Sequence, residues 1–251
     1  MAKELSSIAK EKLNECKVVG KTIVIPTDPM DRNVYVEIKK SLEGIGGKWK
    51  TGTGFVFPHD PQELFNELVG GKSINLKKDF QFFETPPRIA AMLVKLAEIG
   101  DNTLVCEPSA GKGAIIDAIL KEKPNLPIIA YELMKQNSDF LKEKYLKVGI
   151  AVQEINFLDT GLLFQRFIAN PPFTKGQDVD HVMHMYKLLT DGGRLVSVMS
   201  TSWQTSSFKK NIQFRDFLKN HKAVIMPIGQ GEFKESGTMV PTCIVVVNKP
   251  Y

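Results

Sequence analysis

Leu5, Ile8, Leu13 and Cys16 recur at helical spacing, so the chain is predicted to open with an amphipathic helix. A short apolar run, Thr22 to Ile25, reads as a strand closed by Pro26. Tyr35, Ile38, Leu42 and Ile45 mark a second helix, stopped by Gly46 and Gly47. Lys48 to Phe57, KWKTGTGFVF, has the look of a hairpin around Gly52 and Gly54. DPQELFNELVGG comes next as a short helix, with Asp60 as its cap, Pro61 at its first position and Gly70 after its end. Together these elements predict a small α+β module over residues 1–75. It is small for independent stability and is expected to pack on the rest of the chain.

From Thr85 the rhythm changes. Helical and strand periods alternate: helix 87–99, strand 103–106, helix 113–121, strand 127–131, helix 138–148 and strand 150–155. Strand 167–169, helix 178–189 and strands 194–199, 224–228 and 242–248 complete the series. Alternating β and α segments predict a parallel sheet with helices on both faces, here over residues 76–251. The turn-rich GQGEFKESGTMVP joins the last two strands and predicts an antiparallel hairpin on one edge.

Composition narrows this only a little. The chain has 251 residues, room for one large α/β domain and a small module. Its net charge of +5 permits a nucleic-acid partner without demanding one. Residues 1–75 hold 11 basic and 10 acidic side chains, so the module is not basic overall. Cys16, Cys106 and Cys243 stand far apart, with no disulfide framework and no thiolate zinc spacing. With no signal-peptide core at the N-terminus and no spanning apolar run, the sequence reads as cytoplasmic.

Candidate chemistry gathers at predicted strand ends. TLVCEPSAGKGAIIDAIL goes strand, tight loop, helix, and Gly111 and Gly113 permit a ligand to approach the backbone. A phosphate-binding P-loop would need Ser or Thr after Lys112, where Gly113 stands. A dinucleotide fingerprint would need a third small residue, where Ile116 stands. An adenosyl site is the third reading, because Glu132 ends the next strand where an acid meets a ribose. The plain alternative is an ordinary βα turn. Glu107 ends the first core strand and suits an ammonium or sulfonium charge; otherwise it is a solvated loop carboxylate.

FIANPPFTKG runs a strand into Asn170, Pro171, Pro172 and Phe173. Two prolines fix two φ angles and remove two donors, which makes a rigid ledge. The Asn170 side-chain oxygen and the Pro171 carbonyl are two acceptors, and Phe173 offers a face for a flat ring. Such a ledge suits a planar substrate bearing a conjugated –NH2, with stacking worth ~1–3 kcal/mol per base. The alternative is a strand-end turn with Phe173 facing the core. His181 and His184 sit one helical turn apart without a third ligand nearby in sequence, so no metal is expected.

These motifs resemble the S-adenosylmethionine-dependent amino methyltransferases, specifically the N6-adenine DNA methyltransferases. FFETPP resembles the motif that touches the methionine part of the cofactor, which implies roles for Phe83, Thr85 and Pro86. EPSAGKG resembles the first cofactor loop, with Glu107, Pro108, Ser109, Ala110, Gly111 and Gly113. YEL resembles the ribose-binding strand, with Glu132 and Leu133, and NFLD the adenine contact, with Asn156 and Phe157. NPPF resembles the catalytic motif, Asn170 to Phe173, and Asn170 also borders the cofactor. The edge hairpin ending SGTMVPTCIVVV matches too, so the resemblance covers residues 82–248.

The resemblance implies a Rossmann-like seven-stranded sheet, S-adenosylmethionine as cofactor, no metal, and DNA adenine as substrate, flipped out of the duplex. Asn156 departs from the family's usual Asp, which implies weaker cofactor binding. The sequence is read as lacking the long C-terminal recognition domain of many members. Base reading would then fall to the N-terminal module or to residues 201–217, where Trp203 and Phe208 interleave with Lys209, Lys210 and Arg215. An amphipathic helix with core aromatics and solvated cations explains that stretch equally well. KWKTGTGFVF resembles modules ahead of such cores in phage and mobile-element proteins. Methylation of RNA or of a protein glutamine, or a silent nucleic-acid-binding relative, are the other functions this pattern admits.

Overall fold

The computed structural model describes residues 5–57, 60–71, 84–229, 231–233 and 240–251. The chain divides into two compact units, Met1–Phe82 and Phe83–Tyr251.

In the first unit, α1 (Ser7–Asn14), α2 (Arg32–Gly44) and α3 (Gln62–Val69) accompany four short strands. These are β1 (Lys17–Val19), β2 (Thr22–Val24), β3 (Lys48–Lys50) and β4 (Gly54–Val56), paired antiparallel in the order β1-β2-β4-β3. The helices start where side chains replace missing backbone acceptors. Ser6 Oγ accepts from Ala9 N, Asp31 Oδ1 from Asn33 N and Asp60 Oδ1 from Gln62 N. Ala9, Leu13, Ile38, Leu42, Phe65 and Leu68 meet Ile23 and Phe55 in a core between the helices and one face of the sheet.

The second unit carries the long β/α alternation. In chain order it runs α4 (Pro87–Ala97), β5 (Val105–Glu107), α5 (Ala114–Glu122), β6 (Ile128–Tyr131), α6 (Lys135–Lys144) and β7 (Ala151–Gln153). Then come β8 (Phe164–Ala169), α7 (Gln177–Leu188), β9 (Leu189–Ser200), α8 (Ser202–Thr205), α9 (Lys209–Asn220), β10 (Val224–Pro227) and β11 (Thr242–Asn248). The sheet has seven strands in the order β10-β11-β9-β8-β5-β6-β7. β7, β6, β5, β8 and β9 pair in parallel, and β11 runs antiparallel to β9 and β10. This is the expected α/β architecture with its antiparallel edge hairpin. Most of the hairpin's connection lies outside the described residues.

Apolar clusters fill both faces of this sheet. On one, Ile89, Leu93, Ile115, Ile119 and Leu141 pack on Val105, Ile168, Val196 and Ile244. On the other, Val179, Val182, Met185, Phe214 and Leu218 pack on Phe167, Leu195, Met199 and Val245. Strands buried on both faces explain the near-continuous apolar runs that betrayed them. β9 begins at Leu189, five positions before the predicted strand 194–199, and runs through Asp191, Gly192 and Gly193. There Gly192 N donates to Lys249 O, and a Cβ on Gly193 would lie 2.6 Å from Leu189 Cγ. The glycines let the strand kink and keep pairing.

Candidate active site

Parallel pairing places the C-terminal ends of β8, β5 and β6 side by side, and the chemistry-bearing motifs leave from those three ends. The loop after β5 is fixed by its neighbour: Ala110 N donates to Tyr131 O, at 2.9 Å. Gly111 N donates to Glu132 Oε2 at 2.7 Å, and Met134 N to Oε1 at 2.7 Å. Both oxygens of Glu132 are therefore set by backbone donors. Burial pushes its carboxyl up, while the backbone hydrogen bonds from Met134 and Gly111 oppose the shift. Leu133, beside it, is exposed.

Gly111 (φ +56) and Gly113 (φ +82) both adopt the left-handed region. A Cβ on Gly113 would lie 2.2 Å from the Tyr145 hydroxyl, so packing as well as φ demands glycine there. Tyr145 Oη lies 2.9 Å from Gly113 O and 2.8 Å from Asp117 Oδ1. That hydroxyl anchors the start of α5.

Glu107 is only 2% exposed, which excludes a solvated loop carboxylate. Its Oε2 is buried without a hydrogen-bond partner among the described residues. Burial pushes its carboxyl well up and the neighbouring Glu132 charge adds to this, against a backbone hydrogen bond from Ile116. An orphaned carboxylate oxygen beside a second acid suits a cationic ligand group. Pro108 and Ala110 are buried around it, and Ser109 Oγ lies 3.5 Å from Nδ1 of His181. Burial lowers His181 to about 4, so its ring is neutral.

At the end of β8, Asn170 Nδ2 donates to Thr85 Oγ1 at 3.0 Å. Thr85 is buried, and Pro86 precedes α4. Pro171 is buried, Pro172 is half-buried, and Phe173 packs partly against the core while keeping part of its surface exposed. The chain then turns through Lys175 (φ +55) and Gly176 (φ +72) into α7. Lys210 Nζ holds this turn, donating to Gly176 O at 2.7 Å and to Asp180 Oδ2 at 2.6 Å. Buried Asp178 ties it to β9, accepting from Ser200 N at 2.9 Å and Ser200 Oγ at 2.8 Å.

Asn156 caps a short turn after β7: its Oδ1 accepts from Leu158 N at 3.2 Å. Phe157 directs its ring into the core, against Tyr131, Phe167 and His184, so only its backbone is available to a ligand. Phe83 lies outside the described residues.

The stretch 201–217 divides differently from its reading as an entry path. Trp203 is buried against Phe214, so its ring belongs to the core and not to a bound base. Arg215 donates to Trp203 O and Ser206 O, and Lys210 is engaged with the turn after Phe173. Phe208 and Lys209 remain exposed. Sequence reasoning missed Asp178, Ser200 and Tyr145. Each acts through a partner more than twenty positions away, and no local spacing signals such a pair. Among the described residues no cluster of His, Cys, Asp and Glu could hold a metal ion, and no helix is long and apolar enough to cross a membrane.

No protein-family model matches the chain. Over 117 residues it is 32% identical to the type II methyltransferase M.AccI of Acinetobacter calcoaceticus, which covers 44% of this chain and 22% of that protein. The chain thus spans about a fifth of that relative's length. The M protein of the type I restriction enzyme EcoKI superposes with a TM-score of 0.56 at 15% identity, over 96% of this chain and 56% of that one. A Listeria monocytogenes protein assigned to the class I S-adenosylmethionine-dependent methyltransferases superposes with a TM-score of 0.56 at 11% identity, over 76% of this chain and 67% of that one. The fold is that of the class I methyltransferases.

Proposed function

We propose that the chain transfers a methyl group from S-adenosylmethionine to the exocyclic amino group of adenine in DNA. One observation carries this reading. Asn170 is held by Thr85 at a strand end adjoining the one that bears the orphaned Glu107 carboxylate, with Glu132 at the end of the next strand. The residues suit the cofactor. Glu107 takes the ammonium of the methionine part, Glu132 the ribose hydroxyls, and Asn156 with the Phe157 backbone the adenine edge. When bound, S-adenosylmethionine supplies a methyl on a sulfonium, an electrophile with a neutral leaving group.

The ledge does the rest. With Nδ2 donating to Thr85, Oδ1 is the accepting end of the Asn170 amide. That oxygen and the Pro171 carbonyl take the two N–H bonds of the target amine, which leaves its lone pair directed at the methyl. As the N–C bond forms, the S–C bond would break to release the neutral thioether, and the methylated nitrogen would then lose one proton to water. Phe173 stacks on the base. Correct orientation of this kind can supply up to ~7–11 kcal/mol of the barrier. A paired adenine cannot reach the ledge, so the base is flipped out of the duplex. The similarity to M.AccI and to the EcoKI M protein supports DNA as the polymer.

The test is transfer of labelled methyl into unmodified duplex DNA, followed by digestion to nucleosides. The expected product is N6-methyldeoxyadenosine, abolished by Asn170→Ala while cofactor binding persists. Label in RNA or protein instead would keep the ledge chemistry and overturn the substrate. Absence of cofactor binding would overturn the whole reading.

A further inference from the structure

The first unit is balanced in charge as a whole, yet the fold sorts that charge. Residues 16–27 and 44–57, which form the four strands and their turns, contain Lys17, Lys21, Lys48 and Lys50 and no acid. The acids lie on the helices and the remaining loops, where they pair with helix lysines: Lys12 with Glu15 and Lys39 with Glu43. None of the four strand and turn lysines makes an ion pair among the described residues.

Register decides where these lysines go. Val18, Ile23 and Phe55 are cross-strand neighbours in the row that packs on the helices, and the half-exposed Trp49, opposite Phe55 and in contact with its ring, continues that row at the sheet edge. Strand alternation sends Lys17, Val19, Thr22, Val24, Val56, Lys48 and Lys50 to the opposite face. Among the described residues no helix of this unit packs there, and Val19 (64%) and Val24 (40%) are exposed on it. The open face is a strip of valines flanked by lysines from both edge strands, β1 and β3. Lysine is a common guard of sheet edges, but glutamate guards them as well, and edge protection does not exclude acids from a whole face.

We infer that this open sheet face docks on the phosphate backbone of duplex DNA. The lysine rows stand three strand spacings apart, about 14 Å at ~4.8 Å each. That is close to the ~12 Å width of the B-DNA major groove, so the two rows reach phosphates on its two sides. The narrow, deep major groove of an RNA duplex offers no such match. The valines between the rows meet deoxyribose. Contacts to phosphate carry no base information, so the face supplies affinity and orientation rather than sequence reading. The choice of DNA agrees with the proposed function, but the docking is measured without turnover.

The experiment uses the full chain, without cofactor, and follows fluorescence anisotropy of a short random-sequence duplex across a salt series. Lys17→Gln/Lys48→Gln/Lys50→Gln should weaken binding to all sequences alike and make the plot of log K against log salt shallower by about 2–3. The matching triple Lys→Arg variant should keep the wild-type slope, and Lys39→Gln/Lys40→Gln on α2 should leave it unchanged. An unchanged slope in the triple Gln variant would overturn the inference. So would an equal loss in the helix variant, failure of the Arg variant to restore binding, or the same dependence on an RNA duplex only. Lysine-dependent DNA binding without methyl transfer to DNA would uphold this inference and remove the proposed function.

Discussion

Asn170 and Thr85 are 85 positions apart in the chain and meet at 3.0 Å, the side-chain amide donating to the hydroxyl. The contact joins the residue that ends β8 to the one that leads into α4. An amide with neither end committed can turn over and present N–H groups where the target amine needs an acceptor. Thr85→Ser should therefore preserve methyl transfer. Thr85→Val, similar in shape but without the hydroxyl, should lower kcat about 100-fold, the scale of a small misplacement at a reacting centre. Single-turnover transfer checks this, and equal rates in the Val variant would free Asn170 from dependence on Thr85.

Glu107 predicts a proton count. Its carboxyl is pushed well up by burial and by Glu132, whereas binding a cation demands the ionised form. Cofactor affinity should rise with pH until Glu107 is ionised, and binding below that point should release a proton. Stability runs the other way. The folded chain holds this proton above the pH at which the unfolded chain loses it, so stability falls as pH rises from the ordinary carboxylate range toward the raised value. Glu107→Gln should flatten that fall, stabilise the free protein at neutral pH and weaken cofactor binding. Calorimetry in buffers of differing ionisation enthalpy measures the proton. Equal proton release in the Gln variant would move the effect to another group.

Lys210 predicts a separation of stability from rate. Its ammonium group holds the turn after Phe173 through Gly176 O and Asp180. The pair is partly exposed, so its loss should cost no more than about 1 kcal/mol. Lys175 and Gly176 both sit at positive φ, however, and the Lys210 ammonium is bonded to the carbonyl of that turn. Lys210→Met should leave the melting temperature nearly unchanged and lower kcat, with cofactor affinity preserved. A fall in cofactor affinity without a change in kcat would assign Lys210 elsewhere.

Much of this was legible in the sequence because parallel strands buried on both faces leave apolar runs, and because the motifs leave from the ends of those runs. The placement of Glu107, Gly111, Glu132 and Asn170 at neighbouring strand ends is legible that way. The remainder was hidden for particular reasons. The strand predicted at 194–199 starts at Leu189, because Gly192 and Gly193 can sit at a kink inside a paired strand as readily as outside it. Trp203 read as a surface aromatic because its neighbours are cationic, whereas Arg215 spends its guanidinium on the carbonyls of that very segment. The lysine face was invisible to a charge count, since the sum over residues 1–75 nearly cancels. Only the two-residue period of a strand, with Lys48 and Lys50 on one side of Trp49, separates the signs in space.

Gly113 and Tyr145 give the last prediction, a coupling. Gly113 sits at φ +82, and a Cβ there would lie 2.2 Å from Tyr145 Oη and 3.0 Å from Leu141 Cδ2. Gly113→Ala therefore carries two separate penalties. The left-handed backbone costs about 1–2 kcal/mol for any residue with a Cβ. The collision with the hydroxyl adds to that, so the total should exceed about 2 kcal/mol. Tyr145→Phe alone should destabilise as well, because Gly113 O and Asp117 each lose one of their hydrogen-bond partners. In the double variant the hydroxyl is gone, so the closest collision is relieved while the backbone strain and the 3.0 Å contacts with Leu141 and the ring remain. Its destabilisation should therefore be smaller than the two single losses combined. Urea unfolding followed by Trp203 fluorescence, in a Trp49→Phe background so that the second unit alone reports, measures all three. Strict additivity would show that the start of α5 moves aside to admit the methyl group, and that glycine is required there only for its φ.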